Sequence, residues 1–225
     1  MDERGWNEKM KIKTKKENRR EQIIKAAEEV FSKKDFQNST ISDVAKQAGI
    51  SDATIYEYFT SKEDLLFSIP GENIENAKNI LNDHLHYIKG AGNKLRGIIY
   101  HMLSYYQDNA EFAAISLMIL RTNRKFMETE VYNNLREYYQ IIIKTIEEGM
   151  ESGEFKNDIN PHFVRSAILG TIEFIVVRWL MKGAPDDKTK PVESVDPLFN
   201  LIFDGIKKEN GLKEMKCRII FTPGE

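Results

Sequence analysis

Between residues 51 and 58, short hydroxyl-bearing and aromatic side chains follow one another in a pattern suited to hydrogen bonding with nucleic acid. A hydroxyl such as that of Thr54 can donate to or accept from a base edge, and the Ala53 methyl group can touch thymine. The Asp52 carboxylate can accept from cytosine N4, but phosphates repel it, so a plain helix-cap role is an equal alternative. We predict that base edges are contacted by Ser51, Asp52, Ala53 and Thr54.

Phosphate groups would be bound by a second set of side chains, which position a protein on the duplex without reading its sequence. Tyr56 and Tyr58 carry hydroxyls suited to phosphate oxygens, and Thr40 offers another at the start of the preceding helix. Lys62 lies beside a predicted helix N-terminus, where its ammonium group and the free N–H groups would act together. For Tyr56 and Lys62 the competing interpretation is an ordinary solvated surface.

Two short helices joined at a glycine must position these side chains. The first has apolar residues at helical spacing, and Gly49 follows where a helix ends in a left-handed residue. Ile55 and Phe59 give the second helix a side to bury. Two helices joined by a short turn containing Gly form a helix-turn-helix, whose second helix enters the DNA major groove. A helical hairpin that merely packs is the alternative. The apolar residues of the first helix are Ile41, Val44, Ala45 and Ala48.

The stretch DVAKQAGISDATIYEYFTSKEDLL resembles the N-terminal domain of the tetracycline-repressor (TetR) family. Three elements fall in the same register as in that family: an Ala-Gly turn, a Tyr-x-Tyr/His-Phe ending and a Ser-Lys-Glu tail. Here they are Ala48-Gly49, Tyr56-Glu57-Tyr58-Phe59 and Ser61-Lys62-Glu63, within a match that covers about residues 18 to 67. The resemblance implies a dimeric transcriptional regulator, which binds an operator and responds to a small molecule.

Charge and composition add limits to this interpretation. The formal net charge is only −2, so attraction to DNA must be local. It is local, because eight Lys and Arg residues but only two Glu lie between Lys9 and Lys25. Such a stretch attracts phosphate independently of sequence. A disordered solubilising tail is the alternative for its first part.

The remaining composition predicts a cytoplasmic protein without cofactors. Cys217 is the single cysteine, so neither an internal disulfide nor a cysteine metal site is expected. Asp83, His84 and His86 do not predict a metal site, since residues two apart on a helix point in different directions. No apolar stretch reaches the 18 or so residues that span a bilayer, and no apolar segment follows the basic N-terminus, so neither a membrane span nor a secretory signal is expected.

Helical periodicity predicts an all-α fold with an N-terminal three-helix helix-turn-helix domain and a larger C-terminal helical domain for ligand binding and dimerisation. The predicted units are a flexible basic arm (1–15), the DNA-binding domain (16–69), the effector and dimerisation domain (70–210) and a tail without an assignable role (211–225). Helix 1 is expected from Glu17 to Lys33, and Pro70-Gly71 is expected to end or kink a helix at the domain boundary.

The last two long helices are the predicted dimer interface. Residues 161–182 are apolar on almost every face, which requires burial all round, and residues 195–206 carry one apolar stripe. Two such helices from each subunit would form a four-helix interface. A large monomeric core is the alternative. The predicted interface residues are Phe174, Val177, Leu198, Phe199, Ile202 and Ile206.

A second resemblance concerns the larger domain. LRTNRKFMETEVYNNLREYYQIIIKTIEEGMESGEF and ILGTIEFIVVRWLM are similar to the TetR-type, FadR-like regulators of fatty-acid degradation, which implies release from DNA by long-chain fatty acyl-CoA. The competing interpretation is ordinary core for the apolar and tyrosine candidates, a solvated charge run for Arg121, and a charge pair across the dimer for Glu173. These candidates are Met102, Tyr105, Tyr106, Leu117, Met118, Leu120, Arg121 and Glu173.

These features together predict a DNA-binding transcriptional regulator, a repressor that binds a palindromic operator as a homodimer and is released by a small-molecule effector. The partners expected are double-stranded DNA, an effector such as acyl-CoA and a second copy of the chain, with no membrane. One alternative is a helical enzyme with an incidental hairpin, although the sequence has no Gly-rich phosphate loop and no nucleophile elbow. The other is an architectural DNA-binding protein without an effector.

Overall fold

The computed structural model describes residues 3–34 and 36–208, and helices account for most of this part of the chain. The all-α prediction is confirmed: in the described residues the only β-type pairing is one isolated antiparallel bridge between Phe155 and Lys207. The helices are α1 (Glu3–Lys33), α2 (Ile41–Ala48), α3 (Asp52–Tyr56), α4 (Lys62–His86), α5 (Ala91–Asp108), α6 (Ala110–Ala114), α7 (Glu130–Glu151), α8 (Pro161–Met181) and α9 (Val195–Ile206).

Helix α1 is the floor of the first domain and is longer than predicted. Its apolar stripe is buried, with Ile23, Ala27 and Phe31 at most 1% exposed, and α2 and α4 pack against this helix. The helix begins at Glu3 instead of Glu17, so residues 3–15, expected to form a separate arm, continue α1. No proline interrupts this stretch, and Lys, Glu and Arg are good helix formers.

Helix α4 joins the two domains and does not end at Pro70-Gly71, where the sequence predicts an end or a kink. The helix runs without a break from Lys62 to His86, with Pro70 inside it. A proline in a helix interior removes one hydrogen bond and costs about 3 kcal/mol. Pro70 is buried, and α4 packs on both α1 and α7. This burial of apolar surface offsets the lost bond.

The second domain is built around α5, which packs against α4, α7, α8 and α9. After α6, the chain continues as a π-helix (Ile115–Leu120) and then as a short 3₁₀ turn (Phe126–Glu128) before α7. A π-helix is rare, and it frequently marks a functional site. Here it brings Ser116, Leu117 and Leu120 against the inner faces of the neighbouring helices.

Helix α8 was predicted to be buried all round, and within one chain it is not. Its buried side contains Val164, Ile168, Ile172, Val176 and Trp179. Its other side is open, with three large apolar side chains between 66% and 75% exposed. These are Phe163, Phe174 and Met181.

Three further predictions can be compared with the described residues. Among these residues, no helix combines the length and the apolarity needed to cross a membrane. In the same residues, no group of three or more His, Cys, Asp or Glu side chains is placed to hold a metal ion. The tail 211–225 and Cys217 lie outside the described part of the chain.

Candidate functional site

The helix-turn-helix is formed by α2 and α3, and local hydrogen bonds account for its shape. Thr40 caps α2 in a capping box with Asp43, in which each side chain accepts from the other residue's backbone N–H. Gly49 ends α2 in the left-handed conformation, with φ 67° and ψ 35°. Ser51 then caps α3 by accepting from the Thr54 N–H group. The predicted turn at Gly49 is therefore present.

Helix α3 presents a small outward face. Ile55 is fully buried, whereas Asp52, Ala53 and Tyr56 are exposed, Tyr56 by 58%. Thr54 is half-buried, and its hydroxyl lies 2.9 Å from the Ser51 hydroxyl. Ala53 and Tyr56 are thus the side chains of α3 that lie open to an approaching duplex without a hydrogen bond of their own.

Asp52 has a contact that the sequence does not predict. Its carboxylate accepts a hydrogen bond from the Ser42 hydroxyl, which links α2 to α3. Ser51, not Asp52, is the residue that caps α3. The helix-cap alternative for Asp52 is therefore wrong, whereas its base-edge role stays a prediction, since the exposed carboxylate has further lone pairs that can accept.

Thr40 and Tyr58 are less available for phosphate than predicted. The Thr40 hydroxyl donates to Asp43 Oδ2 at 2.9 Å, so its one proton is already used. The hydrogen bond from the Lys34 ammonium group, together with those from Thr40, lowers the pKa of Asp43 to about 2. A carboxylate that is ionised at neutral pH beside this hydroxyl disfavours a phosphate there. Tyr58 is half-buried and packs against the core.

Lys62 was predicted to contact phosphate, but the structure gives its ammonium group partners within the chain. Nζ donates to the backbone carbonyls of Phe36, at 2.7 Å, and Ser39, at 2.8 Å. It also lies 4.3 Å from the centre of the Phe36 ring. These contacts tie the first turn of α4 to the segment that precedes α2. Lys62 therefore positions the helix-turn-helix, while its phosphate contact stays a prediction, since an ammonium group has a third N–H donor.

A cavity of about 330 Å³ lies in the second domain, bounded by α4, α5, the π-helix, α7 and α8. Seven of the predicted effector residues line it, whereas Met118 is 49% exposed and lies outside it. The seven are Met102, Tyr105, Tyr106, Leu117, Leu120, Arg121 and Glu173. Their role in binding an effector stays a prediction.

Tyrosine hydroxyls make part of the cavity wall polar. The Tyr106 and Tyr139 hydroxyls lie 3.3 Å apart, and Tyr105 Oη donates to the Asn73 carbonyl at 2.9 Å. Burial raises the pKa of Tyr105 to about 12, and it also raises the pKa values of Tyr106 and Tyr139. These phenols therefore stay protonated. The Tyr105 proton is used by the Asn73 carbonyl, but the hydroxyl oxygens can still accept a hydrogen bond from a ligand.

Three arginines and one glutamate are the charged residues of the cavity wall. Arg121 Nε donates to Glu173 Oε2 at 2.9 Å, which joins the end of the π-helix to α8. Arg136 and Arg165 were not among the predicted residues. The spacing of Tyr132, Arg136 and Tyr139 along one face of α7 is a signal that could have found Arg136.

The cavity wall also touches the DNA-binding domain directly. Phe126 lines the cavity, is 3% exposed and packs against Phe67 of α4 with the ring centres 5.8 Å apart. Its neighbour Lys125 forms an ion pair with Glu63 in the first turn of α4, with Nζ–Oε distances of 2.9 and 3.1 Å. Sequence reasoning missed this connection, since it joins residues about sixty positions apart.

Comparisons with known proteins cover both domains. Residues 23–69 match the family described as "Bacterial regulatory proteins, tetR family", and residues 71–205 match "YsiA-like protein, C-terminal region". The two matches meet at Pro70. The chain is 31% identical over 185 residues to the fatty acid metabolism regulator protein of Bacillus subtilis, covering 82% of this chain and 94% of that protein.

Solved structures agree with these matches. The fatty acid degradation regulator FadR of Bacillus halodurans has a TM-score of 0.76 at 25% identity and covers 83% of this chain and 95% of its own. FadR of B. subtilis, in complex with stearoyl-CoA, has a TM-score of 0.75 at 31% identity and covers 82% and 98%. Matches of this extent establish that the chain belongs to the TetR family of transcriptional regulators and is not an enzyme.

Proposed function

We propose that this regulator is a cytoplasmic repressor, which binds a palindromic operator as a homodimer and leaves it when an amphipathic acyl ligand, such as long-chain acyl-CoA, fills the cavity. The observation that carries the proposal is the cavity itself, because one wall of it is in contact with the DNA-binding domain. A ligand there would act on a residue that packs against α4.

The outward face of α3 supports a DNA-reading role. Ala53 and Tyr56 are exposed, and the cap residue Ser51 is exposed beside them. Ala53 would contact bases, with help from Ser51 and the half-buried Thr54, while Tyr56 would bind phosphate. Lys62 would support them indirectly, by holding α4 against the start of α2.

Exposed apolar surface on α8 and α9 supports dimerisation. Phe174 is 66% exposed and Leu201 is 73% exposed, and large side chains of this kind are rarely left in water as a group. Phe199, Ile202 and Val177 are partly buried and remain part of the proposed interface. Since a two-fold protein imposes its symmetry on its site, the operator would be a pseudo-palindrome.

Two residues of the predicted interface are buried within their own chain, so the proposed interface leaves them out. Leu198 is 4% exposed and Ile206 is 5% exposed, and both pack into the core of their own chain. The apolar stripe of α9 is wide, so these two residues pack into the core while other apolar residues of the same helix face the solvent. Leu201, which lies outside the predicted set, takes their place in the proposal.

The chemistry of the cavity supports an acyl ligand. Leu117, Leu120, Met102 and Phe112 provide an apolar lining for an alkyl chain, and the tyrosine hydroxyls and arginines provide polar contacts. The similar B. subtilis regulator is known in complex with stearoyl-CoA. Each buried methylene contributes about 0.8 kcal/mol, so affinity should rise with chain length until the cavity is full.

The segment between the π-helix and α7 would carry the signal to DNA. A ligand that displaces Phe126 also displaces the surface on which Phe67 packs, and the ion pair between Lys125 and Glu63 moves with it. An effector shifts the protein only if it binds the DNA-free form better, since equal affinity for both forms changes nothing. The two forms would differ in affinity for the ligand, because the ligand fits only when Phe126 no longer packs against Phe67.

Titration of acyl-CoAs of increasing length into an operator complex tests the proposal, with release measured by fluorescence anisotropy. Two neighbouring substitutions give a matched pair. Leu117→Trp fills the cavity and should leave the protein bound to DNA at ligand concentrations that release the wild type. Met118→Trp adds the same bulk on the exposed side and should behave as the wild type does.

Two results would contradict different parts of the proposal. Release that is absent at every chain length, or equally strong with free CoA, would eliminate the acyl effector. Footprinting without a preferred site would eliminate the operator and favour the architectural alternative.

A further inference from the structure

Two arginines of the cavity wall have no counter-charge among the residues that the structure describes. Arg136 on α7 and Arg165 on α8 both line the cavity, and α7 and α8 pack against each other. Within residues 3–34 and 36–208, neither side chain makes a hydrogen bond or an ion pair. Arg121, the residue expected from the sequence to hold an anion, differs from them because Glu173 already neutralises it.

Local sequence explains why these two charges stay unpaired. Arg136 is preceded, four and three positions earlier, by Tyr132 and Asn133 and is followed, three and four positions later, by Tyr139 and Gln140. The same positions around Arg165 hold Pro, His, Ile and Leu. No carboxylate is therefore available at the spacing that allows ion pairs along a helix. Glu173 is eight residues beyond Arg165, about 12 Å along the axis, and is bonded to Arg121.

The cavity wall consequently carries three guanidinium groups against one carboxylate. Guanidinium groups bind carboxylate and phosphate oxygens through two parallel N–H donors, and such bonds are stronger than those between neutral groups. We infer that Arg136 and Arg165 form an oxyanion-binding site on the α7–α8 side of the cavity, which holds the anionic group of an amphipathic ligand while its alkyl chain lies against the apolar lining. This inference rests on the proposed effector class and names the residues that select its charged end.

The oxyanion can be a phosphate of CoA or the carboxylate of a free fatty acid, and probes that share one alkyl chain distinguish them. Palmitoyl-CoA, palmitate, hexadecanol and CoA are titrated by calorimetry into Arg136→Gln and Arg165→Gln, in the absence of DNA. Arg124→Gln is the matched control, since Arg124 is an exposed arginine outside the cavity wall. Circular dichroism confirms that each variant is folded.

Each cavity substitution removes a charge-assisted hydrogen bond, so the affinity for the anion that uses the site should fall by about tenfold or more. The control should bind like the wild type, and hexadecanol should bind all three variants alike. Loss with palmitoyl-CoA alone identifies phosphate, loss with palmitate alone identifies carboxylate, and loss with both shows that the site takes either oxyanion.

If the anionic probes bind the two cavity variants as tightly as they bind the control variant, the oxyanion site is wrong. The proposal of an acyl effector is unaffected by that result. If neither palmitoyl-CoA nor palmitate binds the wild-type protein, the proposal of an acyl effector is wrong. In that case CoA binding that the two substitutions weaken supports the oxyanion site, and absence of CoA binding overturns it.

Discussion

Lys62 offers a direct test of whether the helix-turn-helix is held in place from within the chain. Lys62→Met removes the ammonium group and keeps a long apolar stem over the Phe36 ring. The Ser39 carbonyl then loses a charged donor, while the Phe36 carbonyl retains the bond from the Ser39 hydroxyl at 2.9 Å. We expect the domain to lose stability and DNA affinity together.

The magnitude follows from the contacts. A hydrogen bond to a charged group contributes about 1.5–3 kcal/mol, and a cation–π contact at a partly exposed site contributes about 0.5–1 kcal/mol. The expected loss is therefore about 2–4 kcal/mol, which is a large part of the 5–15 kcal/mol typical of a folded domain. For a chain of this length each kcal/mol lowers the melting temperature by about 2–4 °C, so a decrease of about 4–16 °C is expected.

Urea unfolding and the salt dependence of operator binding separate the two roles of Lys62. A positioning role predicts lower stability and an unchanged slope of log affinity against log salt. Lys46→Met, which removes an exposed lysine from α2, should leave the stability unchanged. A Lys62→Met variant that is as stable as the wild type, but whose salt slope falls by about one, would refute this reasoning and support the phosphate contact.

Three further predictions concern packing, pH and assembly. Gly149→Ala should destabilise the protein by about 1–3 kcal/mol in urea unfolding, because the new methyl group would lie 2.1 Å from the buried Phe155 ring; Gly170→Ala, which meets nothing within 4 Å, should be neutral or stabilising. Asp43 has a folded pKa of about 2, below its ordinary 3.8, so its contribution is complete above pH 4 and is lost as the pH falls towards 2; melting curves of Asp43→Asn should lack this part of the acid dependence. Leu201→Glu should convert a dimer to monomers in sedimentation velocity, since dimerisation would bury an unpaired charge.

The sequence alone predicts the helix-turn-helix because its signals are local. Thr40 and Ser51 cap helices whose backbone N–H groups lie within three residues, and Gly49 terminates a helix through its own φ angle. The apolar spacing of α2 likewise decides which face is buried. Because these interactions involve near neighbours in the chain, residue type and spacing are enough to predict them.

The cavity residues on α5 and the π-helix were also predictable, but for a weaker reason. Met102, Tyr105 and Tyr106 are apolar or amphipathic residues at helical spacing, which indicates an inward face. Periodicity does not distinguish a packed core from a cavity wall, however. The space that separates these side chains from α7 and α8 depends on how elements from α4 to α8 meet in the folded chain.

Only the tertiary structure decides which charged groups have partners. Lys62 bonds to carbonyls 26 and 23 positions earlier, and Glu173 neutralises Arg121 across 52 positions. Arg136 and Arg165 receive no carboxylate from the part of the chain that the structure describes. A charge takes whichever partner the fold brings within about 3 Å, and the sequence does not contain that distance. Long-range packing likewise keeps α4 continuous through Pro70, because helices that meet only in the folded chain supply the burial that offsets a missing hydrogen bond.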